Sequence, residues 1–163
     1  MTVIHGVPAH VVLLHFVVAF VPLTALLEIV CGLWPGARRG QLLWLTLILA
    51  SVTMVLTPIT ANAGLWLYNV TANPTSILRE HAARGSRLIY FAAALLAVAI
   101  GLVVLRLREH RTEKPRVIIH LTVGIIVLVV GISSTIQVYR VADIGGHSVW
   151  DEELERMQQS RGN

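Results

Sequence analysis

The chain has 163 residues, of which 55% are hydrophobic and only 13% are charged, and its mean hydropathy is +0.72. A soluble domain covers its surface largely with Lys, Arg, Glu and Asp, so this composition excludes an ordinary soluble enzyme. The arginines are scattered between apolar stretches, which is not the basic stripe of a nucleic-acid-binding protein. The single cysteine, Cys31, excludes an intramolecular disulfide framework. The composition therefore predicts an integral membrane protein in contact with the lipid bilayer.

Four apolar segments are long enough to cross a bilayer as helices. A membrane-spanning helix needs about 20 mostly apolar residues, and its backbone amides must be paired within the segment because the hydrocarbon core holds no water. The segments that meet this length are residues 8–33, 41–62, 88–105 and 117–139. The sequence therefore predicts an all-α fold, a four-helix transmembrane bundle formed by residues 1–147.

Two further helical signals lie outside these segments. Asn73 followed by Pro74 resembles the cap and first turn of a helix, which would place His81 on an extension preceding the third span. From Ser148, a capping pattern and apolar residues at helical spacing predict a short amphipathic helix in residues 148–163. This helix either lies on the membrane or on a partner, or forms a frayed tail that rests on the bundle.

Four spans place both termini on one side of the membrane, and the loop charges predict which side. The first and third loops are short and hold seven basic residues: Arg38, Arg39, Arg106, Arg108, Arg111, Lys114 and Arg116. On the opposite side, basic residues are spread over longer segments. Because short cytoplasmic loops are enriched in Lys and Arg, we expect both termini on the outer side of a bacterial cytoplasmic membrane.

Glu28 and His120 are two ionisable side chains within the spans that lie at a similar depth. Glu28 lies near the inner end of the first span and His120 near the inner start of the fourth. A charge in a transmembrane helix costs about 2.5–3.5 kcal/mol on insertion scales, so the two residues are predicted to pair, or Glu28 to be neutral. Alternatively, Glu28 bends toward Arg38 or Arg39 at the membrane surface.

Five of the histidines gather at the opposite end of the predicted bundle, together with Thr60. They are His5, His10, His15, His81 and His147. His10 and His15 are five residues apart, which places them about 140° apart around the helix axis, so one helix cannot aim both at one ion. A ligand site must therefore combine helices. His10 and His81 match best in height, whereas His15 lies deeper and faces either a haem edge or a helix–helix hydrogen bond.

Four motifs along the chain are specific enough to compare with a known family. They are Val7-Pro8-Ala9-His10 with Leu13-Leu14-His15-Phe16, Pro58-Ile59-Thr60 with Ala63-Gly64, His81 with Gly85, and Gln137-Val138-Tyr139-Arg140. These motifs resemble a family of bacterial integral membrane proteins catalogued as domain of unknown function 2231, over nearly the whole chain. The resemblance implies a four-helix protein with His10, His15 and His81 as signature polar residues. Asp143 occupies a position that often holds a histidine in that family, so the resemblance implies Asp143 as a further metal ligand.

The sequence leaves two functions open. The first is a non-catalytic accessory or binding protein with a polar histidine cluster near its outer face, acting in a membrane-protein complex or a homo-oligomer. The alternative is a redox protein in which His10 and His81, with His15 nearby, bind haem b or a transition metal ion such as copper or zinc. A small transporter that uses Glu28 as a proton carrier is a third reading, without an inverted repeat to support it. No catalytic set occurs at a usable spacing.

Overall fold

The computed structural model describes residues 3–4, 7–71, 74–109 and 117–161. Within these ranges a two-residue antiparallel strand pair, β1 (Val3–Ile4) with β2 (Val7–Pro8), precedes the helices. The helices are α1 (Ala9–Leu33), α2 (Pro35–Arg39), α3 (Leu42–Val70), α4 (Ser76–Gly85), α5 (Leu88–Glu109) and α6 (Val117–Arg161). By length and composition, four helical segments of this fold could cross a membrane. The predicted all-α, four-helix transmembrane architecture is therefore confirmed.

The short helix α4 begins at a different residue from the one that the sequence indicated. Thr75 has an extended backbone, and its side-chain oxygen accepts a hydrogen bond from the backbone N–H of Leu78 at 3.2 Å, which makes it the N-cap. Asn73, the predicted cap, lies outside the described residues. A turn at residues 86–87 then separates α4 from the apolar helix α5. His81 thus lies on its own short helix above the third span.

The C-terminal segment continues helix α6 instead of forming a separate short helix. Helix α6 has 45 residues, which corresponds to a length of about 68 Å, far more than the roughly 30 Å of a hydrocarbon core. The capping pattern at Ser148 lies inside this helix, so its predicted role as a helix start is wrong. A capping side chain is not needed there because the preceding residues are already helical.

The bundle interior combines buried apolar side chains, such as Leu95 and Leu102, with small and hydroxyl-bearing residues, while many other large apolar side chains point outward. Helix α1 packs against α3, α5 and α6. Exposed positions include Leu26 at 56% and Ile48 at 61%, as expected for side chains in contact with lipid. Membrane helices associate through close packing and interhelical hydrogen bonds. The buried polar side chains are therefore the residues to consider for function.

Candidate functional site

The side chains of His10 and His81 meet at one end of the bundle, which we name the histidine end. Their ring centroids are 6.2 Å apart and the rings are nearly perpendicular. Nδ1 of His10 lies 2.9 Å from the carbonyl oxygen of Thr60, and Nδ1 of His81 lies 3.0 Å from that of Val141. A carbonyl only accepts hydrogen bonds, so Nδ1 is the donor in each ring. In the neutral form, each Nε2 then keeps its lone pair for a ligand.

Each ring packs against a glycine that lies one helical turn beyond the carbonyl it binds. A Cβ atom on Gly64 would lie 2.6 Å from Cε1 of His10, and one on Gly145 would lie 2.7 Å from Cε1 of His81. Residues four apart share a face of a helix, so the missing side chain leaves room for the ring to reach the carbonyl. The same motif thus occurs twice, once between α1 and α3 and once between α4 and α6.

A small cavity lies beside the histidine pair. It measures about 30 Å³ and is lined by both imidazoles, by Thr57 and Thr60, and by apolar residues that include Leu14. A cavity of this size can hold a water molecule or a single ion. Cofactor-sized ligands occupy pockets of roughly 300–1,000 Å³, so this cavity is much smaller than a typical cofactor pocket.

His15 does not join the pair. Its ring is exposed, and its Nδ1 lies 2.6 Å from the carbonyl oxygen of Val11 on the same helix. This contact stays within α1, so it is not the helix–helix hydrogen bond predicted for His15. The five-residue spacing from His10 turns the ring toward the outside of the bundle. His5, the first histidine in the sequence, lies outside the described residues.

Asp143 also lies away from the cavity. Its side chain is 53% exposed and its Oδ1 lies 3.9 Å from Nε2 of His147. Asp143 follows Val141 by two residues, which is about 200° around the helix axis, so it faces away from His81. Among the described residues, no three His, Cys, Asp or Glu side chains are grouped so that they could hold a metal ion. The ligand set His10, His81 and Asp143 is not assembled.

At the other end of the bundle, which we name the arginine end, a buried ionic cluster surrounds Arg38. Its guanidinium donates to both carboxylate oxygens of Glu109, at 2.5 and 3.4 Å, and to the carbonyl oxygens of Cys31 and Gly32. Nδ1 of His120 lies 3.2 Å from Nη2 of Arg38. These carbonyls end helix α1, so Arg38 satisfies groups that have no intrahelical partner.

This cluster corrects the predicted partners of Glu28. His120 contacts Arg38 and Glu109, and Arg38 is occupied by Glu109 and by the end of α1. Neither residue is available for Glu28, whose two carboxylate oxygens are buried without a hydrogen-bond partner in the described part of the chain. Glu109 cannot be recognised as part of this cluster from the sequence, because its position at the end of a span resembles that of an ordinary surface carboxylate.

Between the two ends, buried hydroxyl groups line helix α3. Thr46, Thr53, Thr57 and Thr60 are all buried, and each donates its hydroxyl to the carbonyl four residues earlier. The hydroxyl oxygens of Thr24 and Thr53 lie 3.3 Å apart. We name these four residues of α3 the threonine row. The seven-residue spacing of three of them is a sequence signal that could have revealed it.

The packing of His81 on Gly145 makes a direct prediction for two adjacent glycines. Replacing Gly145 by alanine forces the ring of His81 to move and weakens its bond to Val141, so we expect a loss of about 1 kcal/mol in the free energy of unfolding. Nothing lies within 4 Å of a Cβ at Gly146, so Gly146→Ala should be neutral or stabilising by up to about 1 kcal/mol. Unfolding in detergent measures both, and equal effects would contradict the packing argument.

Comparison with known proteins identifies the family of this chain. Neither the curated proteins nor the solved structures contain a match to this chain. A family described as "Predicted membrane protein (DUF2231)" matches residues 6–157, which include His10 and His81, the threonine row and the cluster around Arg38. The chain therefore belongs to the DUF2231 family of predicted membrane proteins.

Proposed function

We propose that the protein is a non-catalytic accessory protein of the bacterial cytoplasmic membrane, in which the paired histidines hold the outer end of the bundle together. The observation that carries this proposal is the repeated motif of an imidazole that donates to a carbonyl of another helix and packs on a glycine. The asymmetry of the loop arginines supports termini on the outer side. Apolar outer faces such as that of Ile48 would then contact lipid or a partner membrane protein.

Helices in lipid gain little free energy of association from apolar contact alone. Interhelical hydrogen bonds in membrane proteins contribute on average about 0.6 kcal/mol and up to about 1.7 kcal/mol each. His10 joins α1 to α3, and His81 joins α4 to α6. The edge contact between the two rings connects these two helix pairs. A bundle that is rigid at one end presents a constant surface to a partner complex.

A metal-binding function is the second candidate, because the two Nε2 atoms are free to bind a ligand beside a small cavity. Neutral imidazole is a common ligand of copper and zinc ions. In the described residues only His10 and His81 offer such nitrogen atoms at the cavity, so an ion bound there would complete its coordination with water. The cavity volume favours a single ion over haem b.

One experiment separates the two candidates. The chain, His10→Ala and His81→Ala are purified in detergent, together with His15→Ala as a control that removes a histidine outside the pair. The accessory function predicts colourless, metal-free protein and a loss of about 1 kcal/mol of unfolding free energy in the two pair variants. One metal ion per chain by elemental analysis, lost in both pair variants and retained in His15→Ala, would instead support metal binding. Unchanged stability in both pair variants contradicts the accessory proposal.

A further inference from the structure

Glu28 lies in the interior of the bundle, where no described residue hydrogen-bonds its carboxylate. The residue is fully buried, and both of its oxygens are without a partner in the described part of the chain. It lies about 27 Å along the axis of α1 from His10 and about 7 Å from the end of that helix. An ionised carboxylate in such a setting is costly, so the side chain holds a proton or binds a cation.

Among the residues that the structure describes, the helices packed around Glu28 bring no positive charge to it. Cys31 is the nearest ionisable residue on its own helix, one turn away. On the other helices, the ionisable side chains that the structure describes lie at or beyond the two ends of the spans. They are Arg38, Arg39, Tyr68, Arg79, Glu80, His81, Arg84, Arg87, Tyr90, Arg106, Arg108, Glu109, His120, Tyr139, Arg140, Asp143 and His147. Arg38 is already bound to Glu109. A proton is therefore the simplest species that neutralises Glu28.

Buried hydroxyl groups connect the surroundings of Glu28 with the histidine end. Thr24 lies one turn before Glu28 on the same face of α1, and its hydroxyl contacts that of Thr53. The threonine row continues to Thr57 and Thr60, which line the cavity beside the histidine pair. Each threonine donates its own proton to the backbone, so its oxygen is an acceptor for water or for an acid proton.

Helix α6 adds a second unpartnered polar group near this route. The hydroxyl of Ser134 is fully buried and has no hydrogen-bond partner among the described residues. A Cβ on Gly131, one turn earlier, would lie 3.4 Å from Cβ of Ala25. Since α1 and α6 run antiparallel, Ser134 lies near the level of Thr24. The carboxylate of Glu28 and the hydroxyl of Ser134 thus lie at neighbouring heights in the bundle, both without a described partner. Such a pair indicates bound water, which satisfies buried polar atoms in proteins.

A corresponding route leads from Glu28 to the arginine end. Cys31 lies one turn after Glu28, and its sulfur lies 3.7 Å from the hydroxyl of Thr46. The carbonyl of Cys31 accepts from Arg38, which is bound to Glu109 and lies next to His120. Titratable groups therefore lie at both ends of the bundle, with Glu28 between them. Water must bridge the intervals, because threonines seven residues apart are about 10 Å apart along α3.

We propose that Glu28 is a proton-binding site through which protons cross the bundle. A carboxylate oxygen of Glu28 accepts a proton from water or a hydroxyl group on one side, forming an O–H bond. That bond breaks when the proton passes to an acceptor on the other side, so the net result is the transfer of one H⁺ without oxidation or reduction. The proposal does not depend on the accessory or metal-binding role of the histidine pair.

The test measures proton flux into phosphatidylcholine vesicles that contain the full chain and a pH-sensitive dye, with a potassium gradient and valinomycin setting the membrane potential. We expect the protein to raise proton influx by roughly tenfold or more over protein-free vesicles, and Glu28→Gln to return it to that baseline. Thr53→Val should lower the flux severalfold. Thr122→Val is the matched control, because Thr122 also bonds the carbonyl four residues earlier but is exposed on α6.

A second measurement keeps the proposal testable if Glu28→Gln fails to fold. Infrared spectroscopy of the unaltered protein should show the carbonyl band of a protonated carboxylic acid, which shifts when H₂O is replaced by D₂O, and Glu28→Asp should retain such a band. Flux in Glu28→Gln equal to that of the unaltered protein, or flux no higher than in empty vesicles, overturns the proposal. Loss of the acid band on addition of sodium ions also overturns it, because the site would then bind a metal cation.

Discussion

Replacing Arg38 by alanine is expected to lower the free energy of unfolding by about 3–5 kcal/mol. The guanidinium is fully buried and bonds Glu109, His120 and two terminal carbonyls of helix α1. Its removal leaves the carboxylate of Glu109 without its cation and the end of α1 without donors. Arg38→Lys should recover only part of the loss, because an ammonium group does not reproduce the planar, two-pronged contact with the carboxylate.

The neighbouring Arg39 provides the matched control for this prediction. Its side chain is exposed, so Arg39→Ala should change the unfolding free energy by no more than about 0.5 kcal/mol. Unfolding of detergent-solubilised protein, followed by circular dichroism, measures the three variants under the same conditions. Similar effects for Arg38→Ala and Arg39→Ala would show that the ionic cluster does not stabilise the bundle.

Replacing Gly32 by alanine is expected to cost about 2–3 kcal/mol of unfolding free energy. A Cβ at this position would lie 2.7 Å and 2.9 Å from the two methyl carbons of Val127 and 3.3 Å from its Cβ. A β-branched side chain on a helix has few alternative rotamers, so the two helices must move apart. Small residues at helix interfaces allow the close approach on which packing in membranes depends.

Two further variants identify the contact with Val127 as the cause. Gly101→Ala serves as the control, because nothing lies within 4 Å of a Cβ there, and it should be neutral or slightly stabilising. Adding Val127→Ala to Gly32→Ala should restore part of the lost stability, which a double-mutant cycle quantifies as the interaction between the two positions. Additive effects of the two substitutions would contradict the steric explanation.

Only part of the arrangement of His10 and His81 could be predicted from the sequence. The spacing of His10 and His15 excludes a shared ligand on one helix and directs attention to His81 on another element. The orientation of each ring depends on a partner about 50 or 60 residues away, Thr60 for His10 and Val141 for His81. Gly64 belongs to one of the motifs noted in the sequence and Gly145 does not, but the close approach of an imidazole to each glycine is visible only in the structure. The residue type alone indicates that the imidazoles could bind a ligand. The orientation of the rings, however, depends on how the helices pack.

The sequence by itself determined that this is a membrane protein with four long apolar helices, because the thickness of the hydrocarbon core and the need to pair every backbone amide leave few other structures. Only the tertiary structure decided the partners of its buried polar groups. Arg38 meets Glu109 across 71 residues and His120 across 82, and Glu28 is left without a partner. These outcomes depend on which faces of distant helices meet, and helical periodicity within a single span does not contain that information.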